Sequence, residues 1–297
     1  MIFVTGASGF VGKSLVPLLI KKGYEVRCLV NNTSVDSIYG MMPVEQTHID
    51  LNDLQSIRSS LIGVDTIVHL ASAHSFGNID NLMDIDYMLT RQLLEAGTDM
   101  GIRRFVYPSY LSANRASAYP ILKAKGVIEE FVKKSGIPFT IVRSASVYGR
   151  DDTFTNVLAG LMKFAPFVFP RPGNGQAVRQ PIWIGDYVEC ISQVLLDNRF
   201  ANAQINIGGP EFITADDLLK SIMNVVGVKR VLVSVSVTQM QWTVNYLRKI
   251  VGNRLVTSNW IDHISRDCNC EINSLQRYFE IRPSQFRQSI GYLTDNF

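Results

Sequence analysis

The 297-residue sequence predicts an α/β fold, a doubly wound parallel sheet with helices on both faces and a small interleaved C-terminal lobe. Three observations predict it. Short β-branched runs alternate with helical patterns through the first half, the signature of consecutive βαβ units. A glycine-rich turn joins the first run to the first helical pattern. Beyond residue 150 the alternation loosens among Pro166, Pro170, Pro172, Gly173 and Gly175, where the second lobe begins.

Taken in order, Ile2 to Val4 is the first strand and Gly12 to Lys22 the first helix. Glu25 to Val30 is the second strand, followed by a loop and a helix near Leu54 to Leu61. Thr66 to Ala71 is an apolar strand, and Ile85 to Met100 a long helix. Phe105 to Tyr107 and Phe139 to Val142 are strands flanking a helix over Ala118 to Lys134. Pro120 fits that helix only in its first turn, where a missing N–H does no harm. Gln180 to Ile184 and Gln204 to Gly209 still read as sheet elements. Thr214 is placed to cap a helix from Ala215, with Asp216 and Asp217 in its first turn. Val231 to Val237 is strand-like, and the amphipathic Met240 to Val251 reads as a core-facing helix. Residues 1–150, completed by parts of 180–210, then form a dinucleotide-binding domain, and 151–297 a smaller substrate-binding or partner lobe.

Composition narrows the function. Hydrophobic residues are 46% and charged residues 19%, with a net charge of +3, so nucleic acid is not an expected partner. No targeting segment and no membrane-spanning run is expected: stretches such as Phe164 to Pro170 are too short to cross a bilayer. Cys28, Cys190, Cys268 and Cys270 lack metal-ligand spacing, and a cytoplasmic protein with reduced thiols and no metal is the simplest expectation.

Gly6-Ala7-Ser8-Gly9-Phe10-Val11-Gly12 reads GxxGxxG between a strand and a helix. Glycine lets the backbone turn tightly and approach a pyrophosphate, and the helix N-terminus offers N–H groups and a partial positive charge. The expected fold is therefore of Rossmann type, with Gly6, Ser8, Gly9, Phe10, Val11 and Gly12 binding NAD(H) or NADP(H). At the end of strand two an acid favours NAD and an arginine NADP; Asn31 stands there and is neither. Lys13 tilts the expectation to NADP. Asp50 is placed to reach the adenine, and Leu51, Leu70 and Ala71 complete the cofactor set.

Tyr119 and Lys123 are four residues apart, which on a helix projects both from one face. An ammonium beside a phenol favours the phenolate, making a proton donor or acceptor, and the lysine can also hold the nicotinamide ribose. With this pair, the glycine loop and His69-Leu-Ala71, the sequence resembles the extended and atypical short-chain dehydrogenase/reductases, with their NAD-dependent epimerase/dehydratase and NmrA-like groups. Arg143-Ser-Ala-Ser-Val-Tyr-Gly149, Gln180-Pro-Ile-Trp-Ile-Gly-Asp-Tyr-Val188 and Asn206-Ile-Gly-Gly-Pro-Glu211 are similar to segments of that superfamily. Phe279-Glu-Ile-Arg-Pro283 resembles the nucleotide-binding accessory subunit of mitochondrial complex I and its bacterial relatives.

The resemblance implies an NAD(P)-dependent oxidoreductase or epimerase-like enzyme acting on a small carbonyl or hydroxyl substrate. Tyr119 would be the acid/base and Lys123 its partner; Arg143, Arg179 and Trp183 are only candidate lobe contacts. Two departures stand against that pattern. Tyr110 occupies the usual Ser/Thr position, with Ser109 one residue earlier, and Asp86 replaces a common asparagine. The alternative they leave open is a non-catalytic dinucleotide-binding protein, an assembly factor or redox sensor, with a homodimer or protein-complex partner.

Overall fold

Strand β1 (Ile2–Thr5) is buried along its whole length, because it lies inside the sheet with a parallel neighbour on each side. These neighbours are β2 (Val26–Leu29) and β4 (Thr66–His69). The computed structural model describes residues 1–30, 39–50, 53–72, 82–195, 197–251 and 259–295. Outside β2 lies β3 (Val44–Thr47), and beyond β4 comes β5 (Arg104–Tyr110), both again parallel. With β6 (Phe139–Ser144) and a later strand, β11 (Ala203–Ile207), the sheet has seven strands in the order β11-β6-β5-β4-β1-β2-β3. The chain winds outward from β1 to β3, then restarts on the other side of β1 with β4. That reversal opens a crevice at the C-terminal ends of β1 and β4, the standard ligand position in doubly wound sheets.

The helices that connect these strands are α1 (Phe10–Lys21), α2 (Leu54–Ser60), α3 (Leu82–Asp99) and α4 (Pro120–Lys133). Phe3, Ile67, Phe105 and Ile141 from the sheet pack with Ile57 of α2, Leu93 of α3 and Ile128 and Val132 of α4. Burying each such side chain is worth roughly 1.5–3 kcal/mol. Two elements differ from the sequence expectation. Strand β3 falls in a segment read as loop, because Val44-Glu-Gln-Thr47 carries one apolar residue and is only partly buried. The strand-like His48-Ile49 lies just beyond it. Strand β5 runs on through Pro108 to Tyr110; its rungs with β4 end at Val106, so the missing N–H of Pro108 breaks none of them.

The chain divides into two compact units, 1–143 with 187–206 and 144–186 with 207–297. The second contains three two-stranded sheets. Strand β7 (Val147–Tyr148) pairs in parallel with β10 (Ile182–Trp183), and β8 (Val168–Pro172) in parallel with β13 (Val231–Val235). Strand β9 (Val178–Arg179) pairs antiparallel with β12 (Ile213–Thr214). Its helices are α5 (Thr155–Phe164), the start of α6 (Ile184–Val194), α7 (Ala215–Val226), α8 (Val237–Val251), α9 (Asn259–Ser265), α10 (Ser274–Phe279) and α11 (Phe286–Ser289). Leu158, Met162, Phe169, Leu219, Ile222 and Phe286 form its core. Helix α7 starts as the sequence predicts: the Thr214 hydroxyl accepts the Asp217 N–H at 3.1 Å. Trp183 is core furniture here, its ring 5.5 Å from that of Tyr148.

Candidate functional site

The turn between β1 and α1 is built by three glycines with three separate reasons. Gly6 has φ +69°, and a Cβ there would sit 2.6 Å from the Ala71 nitrogen and 2.8 Å from the Leu70 carbonyl carbon. Only glycine lets β1 and the end of β4 close on each other. A Cβ on Gly12 would sit 2.3 Å from the Ala7 oxygen, inside the first helical turn. Gly9 is the N-cap of α1 and carries no capping side chain, so α1 begins earlier than the predicted Gly12. The first N–H groups of α1, on Phe10, Val11 and Gly12, have no helical acceptor one turn back, and the helix dipole adds positive potential there. Ser8 is exposed at the tip. The turn therefore brings together Gly6, Ser8, Gly9, Phe10, Val11 and Gly12, with Leu70 and Ala71 against Gly6. The buried Tyr39 hydroxyl donates to the Ala7 oxygen at 2.6 Å and braces the turn from outside it. Nothing in the sequence near Tyr39 signals that contact. Asp50 is exposed just beyond β3, and Asn31 and Leu51 lie outside the described residues.

Behind the turn, a polar chain locks the ends of β1 and β4 to α3. The Thr5 hydroxyl lies 2.7 Å from His69 Nδ1, and His69 Nε2 lies 2.9 Å from the Thr90 hydroxyl. Thr90 gives its own proton to the Asp86 carbonyl at 2.6 Å, so it accepts from His69. That puts a proton on Nε2; in the uncharged ring that burial favours, Nδ1 then accepts the Thr5 proton. Burial, helped by the positive charge of Lys125, pushes the His69 pKa down to about 3. Asp86 is buried and accepts the Ser72 hydroxyl at 2.6 Å.

The tyrosine–lysine pair is not arranged as the spacing predicts. Tyr119 is not inside α4: it is the N-cap, with extended backbone at φ −88° and ψ 119°. Pro120 is the cause, because a residue before proline is pushed out of the helical region. Tyr119 is half-buried and Lys123 exposed. The lysine that turns inward is Lys125, 8% exposed. Its Nζ donates to the Pro108 carbonyl at 3.3 Å and lies 4.6 Å from the Tyr107 ring centroid and 6.0 Å from that of Tyr110. Burial lowers the Lys125 pKa, while the charges of Asp86 and Glu129 oppose the shift. Ile121 stands four residues before it. The sequence does carry the signal, since Leu122, Lys125, Ile128, Glu129 and Val132 repeat at helical spacing and all are buried.

Ser109 is also committed. It is buried, and its hydroxyl donates to Glu129 Oε1 at 2.5 Å. The same Glu129, fully buried, takes the Arg143 guanidinium through Nε at 2.9 Å and Nη2 at 2.5 Å. Arg143, expected as a lobe contact, spends its charge on this ion pair and on the Ala113 carbonyl. Arg179, the other, is buried and donates to the Ser146 hydroxyl and the Arg266 carbonyl. Tyr110 is half-buried at the end of β5, with its ring centroid 6.0 Å from the Lys125 ammonium.

Glycine turn, strand order and switch point are those of a dinucleotide-binding doubly wound sheet, and residues 2–208 match the profile of one family. The chain belongs to the NAD dependent epimerase/dehydratase family. Among its relatives is the photosystem II assembly factor Ycf39 of Cyanophora paradoxa, 28% identical over 142 residues, 48% of this chain and 44% of that protein. Another is subunit 9 of the NADH dehydrogenase [ubiquinone] 1 alpha subcomplex of Mus musculus, a mitochondrial protein. It is 25% identical over 224 residues, 74% of this chain and 59% of that one. The matches span about half the length of these curated relatives. A nucleoside-diphosphate-sugar epimerase from Staphylococcus aureus superposes with a TM-score of 0.77 at 18% identity, covering 99% of each chain. Thermus thermophilus UDP-glucose 4-epimerase in complex with NAD gives 0.73 at 17%, covering 99% of this chain and 97% of that one. At such identities the structures share the family's fold.

Proposed function

We propose that this chain binds a nicotinamide dinucleotide at the β1–α1 turn and serves as a nucleotide-loaded binding protein, without acid–base turnover by Tyr119 and Lys123. The observation that carries the reading is the position of the polar groups. Lys123 is exposed, Tyr119 is the N-cap of α4 and not a residue within it, and the Ser109 hydroxyl is given to Glu129. The residues of the turn fit the nucleotide: Gly6 and Gly12 have no room for a Cβ, and α1 opens without a capping side chain. In this reading Gly6, Gly9 and Gly12 let the pyrophosphate approach, and the N–H groups of Phe10, Val11 and Gly12 bind it. Leu70 and Ala71 line the crevice, Asp50 faces the adenosine end, and Lys125 takes the ribose-holding role expected of Lys123. Lys13, in the first turn of α1, favours NADP(H) over NAD(H). A bound nicotinamide supplies hydride chemistry at its ring C4. The relatives named as an assembly factor and as a complex subunit support a protein partner for the loaded chain, and a cytoplasmic location remains part of the proposal.

A second reading, an NAD(P)-dependent oxidoreductase or epimerase-like activity on a small carbonyl or hydroxyl substrate, is favoured by the Lys125 Nζ lying 6.0 Å from the Tyr110 ring. The two separate in one assay. Purified chain is incubated with NADPH or NAD and a panel of small aldehydes, ketones and nucleotide sugars. The reduced nicotinamide is followed by its fluorescence, and the nucleotide sugars are checked for an epimerised product, because epimerisation returns the hydride and consumes no cofactor. The binding reading predicts that the signal persists, and that Tyr119→Phe and Tyr110→Phe change nothing. Consumption of NADPH, or formation of an epimerised sugar, that Tyr110→Phe abolishes would establish the second reading and overturn the first.

A further inference from the structure

The second unit presents an apolar face that its own core does not use. In the parallel pair β8–β13, Val168 is registered with Val231 and Pro170 with Val233. Alternation along each strand sends Phe169 and Leu232 toward the core and leaves this row on the other side. The row is open to solvent: Val231 is 65% exposed, Val168 51% and Val233 44%. The segment leading into β8 adds two phenylalanines, Phe164 at 89% and Phe167 at 80% exposure. The two segments adjoin: the Val231 N–H bonds the Phe167 carbonyl at 3.0 Å and Arg230 Nε bonds the Met162 carbonyl at 3.1 Å. Two phenylalanines and three valines exposed to water in adjoining segments mark a contact surface.

Charge says what kind. The sequence has no Asp or Glu from 154 to 185, nor from 218 to 261, the two stretches that contain β8 and β13. In these stretches Lys163 directly precedes Phe164, and Lys229 and Arg230 directly precede Val231. Asp216 reaches β8 from outside them, and its charge is met by Arg171 at 2.6 Å. Exposed aromatic and aliphatic side chains with cations and no acid in the same stretches of chain match the headgroup zone of an anionic bilayer. No described helix is long and apolar enough to cross a membrane, so the contact is with the surface. We propose that the β8–β13 face, with Phe164 and Phe167, docks this protein on an anionic lipid surface. The proposal is independent of nucleotide binding.

The test is sedimentation of the full chain with vesicles of phosphatidylcholine alone and with about one third phosphatidylserine. The expected result is co-sedimentation with the anionic vesicles and at least tenfold less with phosphatidylcholine, weakened by added salt. Phe164→Ser with Phe167→Ser should reduce vesicle binding at least tenfold while leaving the melting temperature unchanged, since both rings are solvent-facing. A charge variant, Lys229→Glu, should also reduce binding to anionic vesicles. The proposal is overturned if the chain ignores anionic vesicles, or if the double variant binds them as well as the parent. It is equally overturned if the parent is a dimer by analytical ultracentrifugation, the double variant a monomer, and neither binds vesicles. The face would then be an interface between two copies.

Discussion

Lys123 and Lys125 differ by two positions and by everything physical. One is solvated; the other sits among Tyr107, the Pro108 carbonyl and the charges of Asp86 and Glu129. Lys125→Met keeps the length and removes the charge, and should weaken dinucleotide binding about tenfold, or about 1.4 kcal/mol. Lys123→Met should change it less than twofold. The reverse order in a calorimetric comparison would return the role to Lys123. His69 makes a pH prediction. Its pKa falls from the ordinary 6.5 to about 3 on folding, so below pH 6.5 the unfolded chain takes up a proton that the folded chain refuses. Stability is full above that pH and is lost as pH falls toward 3, by about 2 kcal/mol between pH 7 and 5. Denaturant titrations across that range should show the slope, and His69→Gln should flatten it. An unchanged slope in the variant would assign the loss to other groups.

At the scale of elements, a single capping carboxylate holds one end of the second unit. Buried Asp152 accepts the N–H of Gly149 at 2.9 Å, of Phe154 at 2.7 Å and of Thr155 at 2.5 Å, and the hydroxyls of Thr155 and Tyr292 at 2.6 and 3.0 Å. It thereby caps α5 and ties down the C-terminal turn Ile290–Thr294. Asp152→Asn turns an amide donor against donors and should cost about 2–3 kcal/mol. Hydrogen exchange should rise first in 290–294; unchanged protection there would refute the clamp. Legibility in the sequence follows the same logic of local against distant causes. The glycine turn, the Thr214 cap and the strands β1, β2, β4 and β6 were readable because their causes lie within a few residues. Strand β3 was not, since its polar sequence becomes a strand only by pairing with β2. The Tyr119–Lys123 spacing placed the tyrosine within the helix, whereas Pro120 makes it the N-cap; the inward stripe through Leu122, Lys125 and Ile128 was present in the sequence. The Ser109–Glu129–Arg143 group depends on three separate elements and had no local mark.

For the molecule as a whole, the account rests on the crevice where the strand order reverses between β1 and β4. A ligand that binds only the folded chain raises its stability, by about 2.7 kcal/mol at a hundredfold excess over Kd, so nucleotide should also raise the melting temperature. The most direct measurement is a calorimetric titration of the purified chain with NADH and with NADPH, beside Gly12→Val, whose side chain cannot fit against the Ala7 oxygen. The account predicts one site per chain for the parent, tighter for NADPH, and no heat for the variant at matched folding by circular dichroism. Absence of binding by the parent to either nucleotide would contradict it and leave the glycine turn as a purely structural feature of the fold.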